Sequence, residues 1–337
     1  MQNPATTNLI AWFKQHARRL PWRQNPSVYK TVVSEFMLQQ TQIKTMLPYF
    51  ERWMQEFPSF QALAQAPLTS VLALWSGLGY YTRAKHLHAF AQTFIHRPIT
   101  TYAELLTCTG IGPYTAAAIA SIAFNEPVMT IDGNVIRVLA RLLNHSEVFT
   151  SQATARTWVQ PYLQRYFDKT HPGVFNEALM ECGATVCTKT HPLCPQCPLR
   201  VDCQAFKHHT QSACPQFLKT KELQKQKHRL WHLNTNALLL APSTIATRTS
   251  VTLLELPELS PEQRTQLPEL QPIFTGKRRI GNTTYTETLY RLPPSTPLPT
   301  KVIHQWKAQW LPIQALNQYP LSGPHKRWIQ AILASLS

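Results

Sequence analysis

The sequence predicts a mostly helical domain followed by a smaller α+β domain, and three observations carry that reading. From residue 8 to about 215, apolar residues recur at helical spacing with no strand-like alternation of any length. A polar stretch rich in Lys, Gln and His then runs from Lys207 to Arg229. Beyond Arg229 the apolar runs become short and β-branched, and 12 of the 27 prolines lie there. A chain of 337 residues suits two domains of ordinary size. The expected boundaries are a helical domain at 1–215, a basic polar linker at 216–228 and an α+β domain at 229–337.

The elements follow in order. Leu9, Ile10, Trp12, Phe13 and His16 keep helical spacing, and Pro26-Ser27 is a suitable start for the next helix. Further apolar helical segments are expected near 60–75, 82–95, 103–107, 114–124, 135–143, 152–167 and 174–184. In the second domain, residues 237–240, 250–256 and 284–292 read as strands. Trp328, Ile329, Ile332, Leu333 and Leu336 signal a final helix.

Charge narrows the function. Lys and Arg number 33 against 17 Asp and Glu, a formal +16, which points to a polyanionic partner such as nucleic acid. No run of about 18 apolar residues suggests a membrane span, and the N-terminus lacks the basic-then-apolar pattern of a secretion signal. No carboxylate falls between Glu56 and Glu104, and aspartate occurs only at 132, 168 and 202. An acid inside an apolar pattern therefore calls for a specific explanation.

Four of the seven cysteines are clustered as Cys187-x6-Cys194-x2-Cys197-x5-Cys203. Three short, unequal loops suit thiolates around one compact [4Fe–4S] cube. Zinc sites more often use two close pairs set a dozen residues apart, and four structural thiols without metal are the remaining reading. Gly110-Ile111-Gly112-Pro113-Tyr114, followed by Thr115-Ala116-Ala117-Ala118-Ile119-Ala120, allows a tight turn into a helix N-terminus that can hold a phosphate. An ordinary helix–turn–helix junction would look similar. Beside the charge and the cysteine loop it reads as a helix–hairpin–helix DNA clamp over 107–120. Glu35 lies on the apolar face of a helix expected from Val28 to Gln40, where burial would keep its proton available for general acid catalysis. Its plainer reading is a buried carboxyl satisfied by a neighbouring helix. Asp132 precedes the amphipathic Val135, Val138, Leu139, Leu142 pattern and could equally be a helix N-cap.

Four runs carry a resemblance: Leu20-Pro21-Trp22-Arg23, Ser34-Glu35-Phe36-Met37-Leu38-Gln39-Gln40-Thr41-Gln42, Gly77-Leu78-Gly79-Tyr80-Tyr81 and Ile131-Asp132-Gly133-Asn134-Val135. Together they resemble the adenine DNA glycosylases of the MutY family, and the cysteine spacing and hairpin resemble the wider endonuclease III superfamily. The resemblance spans residues 8 to about 215 and implies a helix–hairpin–helix DNA glycosylase with a [4Fe–4S] cluster held by the loop 187–203. By this resemblance Glu35 protonates N7 of an extruded adenine and Asp132 stabilises the positive sugar. Asn134 orients Asp132, and Tyr114 hydrogen-bonds near it. Trp22, Arg23, Leu38 and Glu177 line the adenine pocket, Gln40 and Tyr80 enter the base stack, and Gly110 and Gly112 hold the backbone.

The implied partner is double-stranded DNA carrying A:8-oxoguanine or A:G mispairs, and the implied enzyme is a monomer in the bacterial cytoplasm, associated with the nucleoid and not with a membrane. Bifunctional relatives carry lysine at the Tyr114 position, so strand cleavage is not expected; a bifunctional glycosylase/lyase and a non-catalytic iron–sulfur DNA-binding protein are the alternatives. In the family the second domain resembles a Nudix hydrolase with a Phe-Ser-His lesion-reading loop. Here no Phe-Ser-His occurs, no box of clustered glutamates supports nucleotide hydrolysis, and Arg278, Arg279, Asn282, Thr283 and Thr284 are the polar substitutes on offer.

Overall fold

The computed structural model describes residues 3–218, 222–243, 253–267, 270–293 and 296–336. The first part of the chain is helical: α1 (Pro4–His16), α2 (Val28–Leu38), α3 (Ile43–Glu56), α4 (Phe60–Gln65), α5 (Leu68–Leu74), α6 (Thr82–Phe94), α7 (Tyr102–Thr107), α8 (Pro113–Phe124) and α9 (Gly133–Leu142). The two-residue strand β1 (Val148–Phe149), α10 (Gln152–Leu163), α11 (Pro172–Thr185) and α12 (Gln204–Lys207) complete it. Ser27 caps α2 by accepting the Lys30 N–H, as the Pro26-Ser27 signal requires. The helix α3 has no counterpart among the expected segments, although it is amphipathic and buries Met46, Phe50 and Trp53.

Contacts divide the chain into two compact units. One takes in Met1–Ala64 and Ala89–Lys219, the other Gln65–His88 and Thr220–Ser337. In the first unit α2 is a central helix, with Val32, Val33, Phe36 and Met37 wholly buried. A second core joins Leu9, Val135, Leu139, Leu142, Val159, Leu163, Phe175 and Leu179. The Ala116–Ala120 run of α8 is at most 2% exposed. With no side chain longer than Ile in that run, α8 packs directly on α2 and α11. The small residues behind the hairpin therefore do structural service: they bring three helices into contact.

The strand β2 (Gln216–Phe217) pairs in parallel with β1. The second unit then holds β3 (Leu223–Trp231), β4 (Ala237–Pro242), β5 (Leu254–Glu255), α13 (Pro261–Gln266), β6 (Gln271–Ile280), β7 (Thr283–Arg291), α14 (Thr300–Trp306), β8 (Gln309–Pro312) and α15 (Gly323–Leu336). One sheet has the order β3-β7-β6 and the other β5-β4-β8. Residues 223–228, expected as linker, are instead strand. β3 runs parallel to β7 in register from Leu223↔Thr283 to Trp231↔Arg291. Its first four residues are exposed, so this sheet-edge strand lacks the apolar alternation that would reveal it. The strand expected at 250–256 is seen as β5, while residues 250–252 lie outside the described ones.

β6 is hidden for a different reason: its two buried residues are Gly276 and the charged Arg278. Arg229, Arg278, Glu255, Glu287 and His325 are all buried. Arg229 reaches Glu287 at 2.6 Å and Glu255 at 3.0 Å, while Arg278 reaches Glu255 at 2.6 Å and also pairs with Glu287. Burial would raise both carboxyls, but the arginines and His325 hold Glu255 and Glu287 down at about 2. The Leu256 N–H donates to His325 Nδ1 at 3.0 Å, so Nε2 carries the proton that faces Glu287 at 3.3 Å. Arg278 is thus committed to the interior. Thr283 is buried, and the Thr284 hydroxyl donates to Glu222 at 2.6 Å. Arg279 and Asn282 lie at the β6–β7 turn, where Arg279 donates to the Gly281 carbonyl at 3.2 Å.

Candidate active site

A cavity of about 470 Å³ opens in the first unit, within the size range of small-molecule sites. It is lined by Trp22, Arg23, Glu35, Leu38, Tyr114, Asp132, Asn134 and Glu177, drawn from four helices and the loop after α1. Eight of the sequence-predicted residues therefore meet in one place. Gln40, Tyr80, Gly110 and Gly112 do not line it. Gln40 is exposed just past α2 at φ +59°, and Tyr80 is exposed at φ +51°. Gly110 sits at φ +86°, with its carbonyl accepting from Gln39 at 3.3 Å, and Gly112 is the residue before α8.

Glu35 is the buried acid of the cavity. It is 7% exposed, and Oε2 is buried with no hydrogen-bond partner. Burial, reinforced by the charges of Glu177 and Asp132 and opposed by Arg23, pushes its carboxyl up to about 8. It is therefore a neutral acid at pH 7. The reading in which a neighbouring helix satisfies this carboxyl does not hold for that oxygen.

Asp132 fills its N-cap reading and also lines the cavity. Oδ1 accepts the Val135 N–H at 2.7 Å and caps α9, while Oδ2 accepts from the Asn134 amide at 2.7 Å. One carboxylate is thus aimed by a helix terminus and by a side chain. The Tyr114 hydroxyl makes a different bond from the one expected: it donates to Met180 Sδ at 3.3 Å. Burial, then the charges of Glu35 and Asp132, raise its phenol well above the usual range, so it stays neutral.

Three supporting residues, Arg18, Glu181 and Arg137, were not evident from sequence. Arg23 donates to Glu177 at 2.8 Å and Glu181 at 3.1 Å, and Arg18 makes a two-pronged pair with Glu181 at 2.7 and 2.9 Å. The signal was Glu177 and Glu181 one turn apart on α11, but their partners lie more than 150 residues upstream. Arg137 donates to Asn134 Oδ1 at 2.8 Å, the Gly183 carbonyl at 2.7 Å and the Cys187 carbonyl at 2.8 Å. It fixes which way the Asn134 amide faces and ties that amide to the cysteine loop. Gly183 permits the arrangement, since a Cβ there would meet the Asn134 Cβ at 2.6 Å.

The four clustered cysteines share the lining of a second cavity with Arg141, Arg200, Phe206 and Gln211. All seven cysteines are free thiols. Arg141, 3% exposed, donates to Cys187 Sγ at 3.4 Å and to the Thr188, Lys189, Gln211 and Cys214 carbonyls; Gln211 lies 3.9 Å from Cys194 Sγ. Among the described residues no three His, Cys, Asp or Glu side chains converge to hold a single metal ion.

Residues 33–161 match the model of the HhH-GPD superfamily of base excision DNA repair proteins. The matched stretch contains the hairpin at Gly110–Pro113 and the cavity residues Glu35, Tyr114, Asp132 and Asn134. The chain is similar to the adenine DNA glycosylase of Mus musculus, 43% identical over 217 residues that cover 59% of this chain and 41% of that one. It is also similar to the adenine DNA glycosylase of Buchnera aphidicola subsp. Baizongia pistaciae, 38% identical over 205 residues, 59% of this chain and 57% of that one. The chain thus spans less than two thirds of the length of these relatives. A solved thermostable thymine-DNA glycosylase shares the helical fold at a TM-score of 0.53 and 20% identity, over 60% of this chain and 95% of that one. No helix among the described residues is long and apolar enough to cross a membrane.

Proposed function

We propose that this protein is a monofunctional adenine DNA glycosylase, which hydrolyses the N-glycosidic bond of adenine mispaired with 8-oxoguanine or guanine in duplex DNA. The observation that carries the reading is Glu35: a neutral acid whose buried Oε2 lacks any protein partner, in a cavity that also holds the oriented carboxylate of Asp132. An unpaired buried oxygen costs about 1–3 kcal/mol, and an extruded base would supply its partner. Glu35 gives its proton to N7 of the adenine, which then leaves with the electrons of the C1′–N9 bond. Asp132 faces the positive charge this leaves on the sugar. Water adds to C1′ and sheds a proton, so the products are free adenine and an abasic site. Trp22, Leu38 and the Arg23–Glu177 pair would enclose the base, Gln40 and Tyr80 would enter the stack, and the Gly110–Gly112 hairpin would hold the phosphate backbone. Tyr114 has no amine with which to form a Schiff base.

Specificity for the opposite base is expected to be modest. A hydrogen-bonded contact at a base edge gives roughly 1–3 kcal/mol of discrimination, and the sequence carries no Phe-Ser-His loop to make one. Release of free adenine, followed chromatographically under single turnover at one fixed salt concentration, tests the reading. Adenine should appear from duplexes with 8-oxoguanine or guanine opposite, the former with a small preference, and not from an A:T duplex. Failure to release adenine from either mispair would refute it.

The cysteine cavity fits a [4Fe–4S] cluster. Four thiols border one opening, and Arg141 and Gln211 direct N–H groups at two of the sulfurs. Cys187, Cys194, Cys197 and Cys203 would hold it, and it would brace the loop against α9 through Arg141 and Arg137. Protein purified without air or chelator should be yellow-brown, with about four iron and four sulfide per chain. Stoichiometric zinc in place of iron would reject the cluster.

A further inference from the structure

The loop between α5 and α6 is built to present one aromatic ring. Gly77 and Gly79 adopt φ of +102° and +76°, and Tyr80 follows at +51°, a left-handed conformation that a tyrosine rarely takes. The Tyr80 ring is nevertheless 58% exposed. The side chain beneath it is Arg83, only 5% exposed. Its guanidinium lies 5.3 Å from the Tyr80 ring centroid and 5.3 Å from that of Trp75, so it stacks on both. It also donates to the Gly79 carbonyl at 3.1 Å and the Leu78 carbonyl at 3.4 Å, while the Trp75 indole N–H donates to Gly79 at 2.9 Å. Lower in the loop, Ser76 Oγ takes hydrogen bonds from Tyr81 and Lys326 at 3.2 and 3.0 Å. The base of the loop is thus anchored independently, and its tip is held by Trp75 and Arg83, of which Arg83 alone also stacks on the Tyr80 ring.

We propose that Arg83 is a positioning residue for base extrusion: it clamps the strained Gly79–Tyr80 tip so that the exposed Tyr80 ring stands ready to enter the base stack. This rests on the reading of Tyr80 as a stack-entering residue of the proposed glycosylase. A ring held in place loses little freedom on insertion, whereas a loose tip must be ordered in the same step. Burial lowers the guanidinium to about 10 and the Tyr80 phenol opposes the drop, so Arg83 remains charged at neutral pH.

The test is stopped-flow fluorescence on the full-length protein, with 2-aminopurine in place of the target adenine opposite 8-oxoguanine, for wild type, Tyr80→Leu, Arg83→Met, Arg83→Lys and Tyr80→Leu/Arg83→Met. Arg83→Met should slow extrusion about tenfold, and Arg83→Lys, which keeps charge but not the planar fork, by about threefold. In the Tyr80→Leu background, Arg83→Met should add less than about twofold, because its effect passes through the ring. Circular dichroism checks the fold, and Arg83→Lys carries the comparison if the methionine variant is unstable. Wild-type extrusion in both Arg83 variants, or an equal loss with and without Tyr80, would overturn the inference. Wild-type extrusion by Tyr80→Leu would overturn the stack-entering reading and the inference with it.

Discussion

Glu35→Gln is expected to slow single-turnover adenine excision by about 10²–10⁴-fold while leaving duplex binding intact. The amide fills the same space in α2 but has no proton of suitable acidity for the leaving base. The wild-type pH–rate profile should agree: excision holds up while Glu35 is protonated and falls about tenfold per pH unit above about 8. Stability carries the same signature. The folded protein keeps a proton that the unfolded chain gives up above about 4.5, so this group's contribution falls as pH rises from 4.5 through about 8. By pH 7 the loss is on the order of 3 kcal/mol. Glu35→Gln removes this dependence, so its melting temperature at pH 8 should exceed the wild-type value by several degrees. A variant that excises at near wild-type rate would make Glu35 a purely structural acid.

Asp132→Asn separates the two tasks assigned to Asp132. Asparagine caps helices about as well as aspartate, so the bond to the Val135 N–H survives, while its amide nitrogen faces the Asn134 amide and the bond to Oδ2 is lost. The melting temperature should fall by a few degrees. The charge facing the developing sugar cation is lost, and excision should fall by at least about a hundredfold. Asp132→Ala should match that kinetic loss and also lose about 1 kcal/mol of stability with the cap. If Asp132→Asn retained activity and only Asp132→Ala failed, the residue would be a cap and nothing more.

The helical part of the fold was readable because its physics is local. Pro26-Ser27 starts α2 where the cap signal falls, and Glu35 stands out as a carboxyl on an apolar face. What escaped depends on partners far along the chain. Glu181 binds Arg18 and Arg23, and Arg137 joins Asn134 to the Cys187 loop, so no local pattern reveals them. The strand β3 escaped because its first four residues are exposed at a sheet edge, and β6 because Arg278 points inward to Glu255 and Glu287, which inverts the rule that the buried face is apolar. The partner of Tyr114 is distant too: its hydroxyl donates to the Met180 sulfur, 66 residues along the chain, which no local pattern reveals.

The central claim is removal of adenine without strand cleavage. The direct measurement uses end-labelled duplexes with adenine opposite 8-oxoguanine, guanine or thymine, incubated with the full-length protein and resolved with and without subsequent alkali. Of the described residues that line the cavity, one is a lysine, Lys14, exposed on the last turn of α1; the buried position beside Asp132 is held by the Tyr114 phenol. Cleavage at the adenine is expected only after alkali, from the 8-oxoguanine and guanine duplexes and not from the thymine duplex. Intact strands after alkali in both mispaired duplexes, or a strand cut before it, would contradict it.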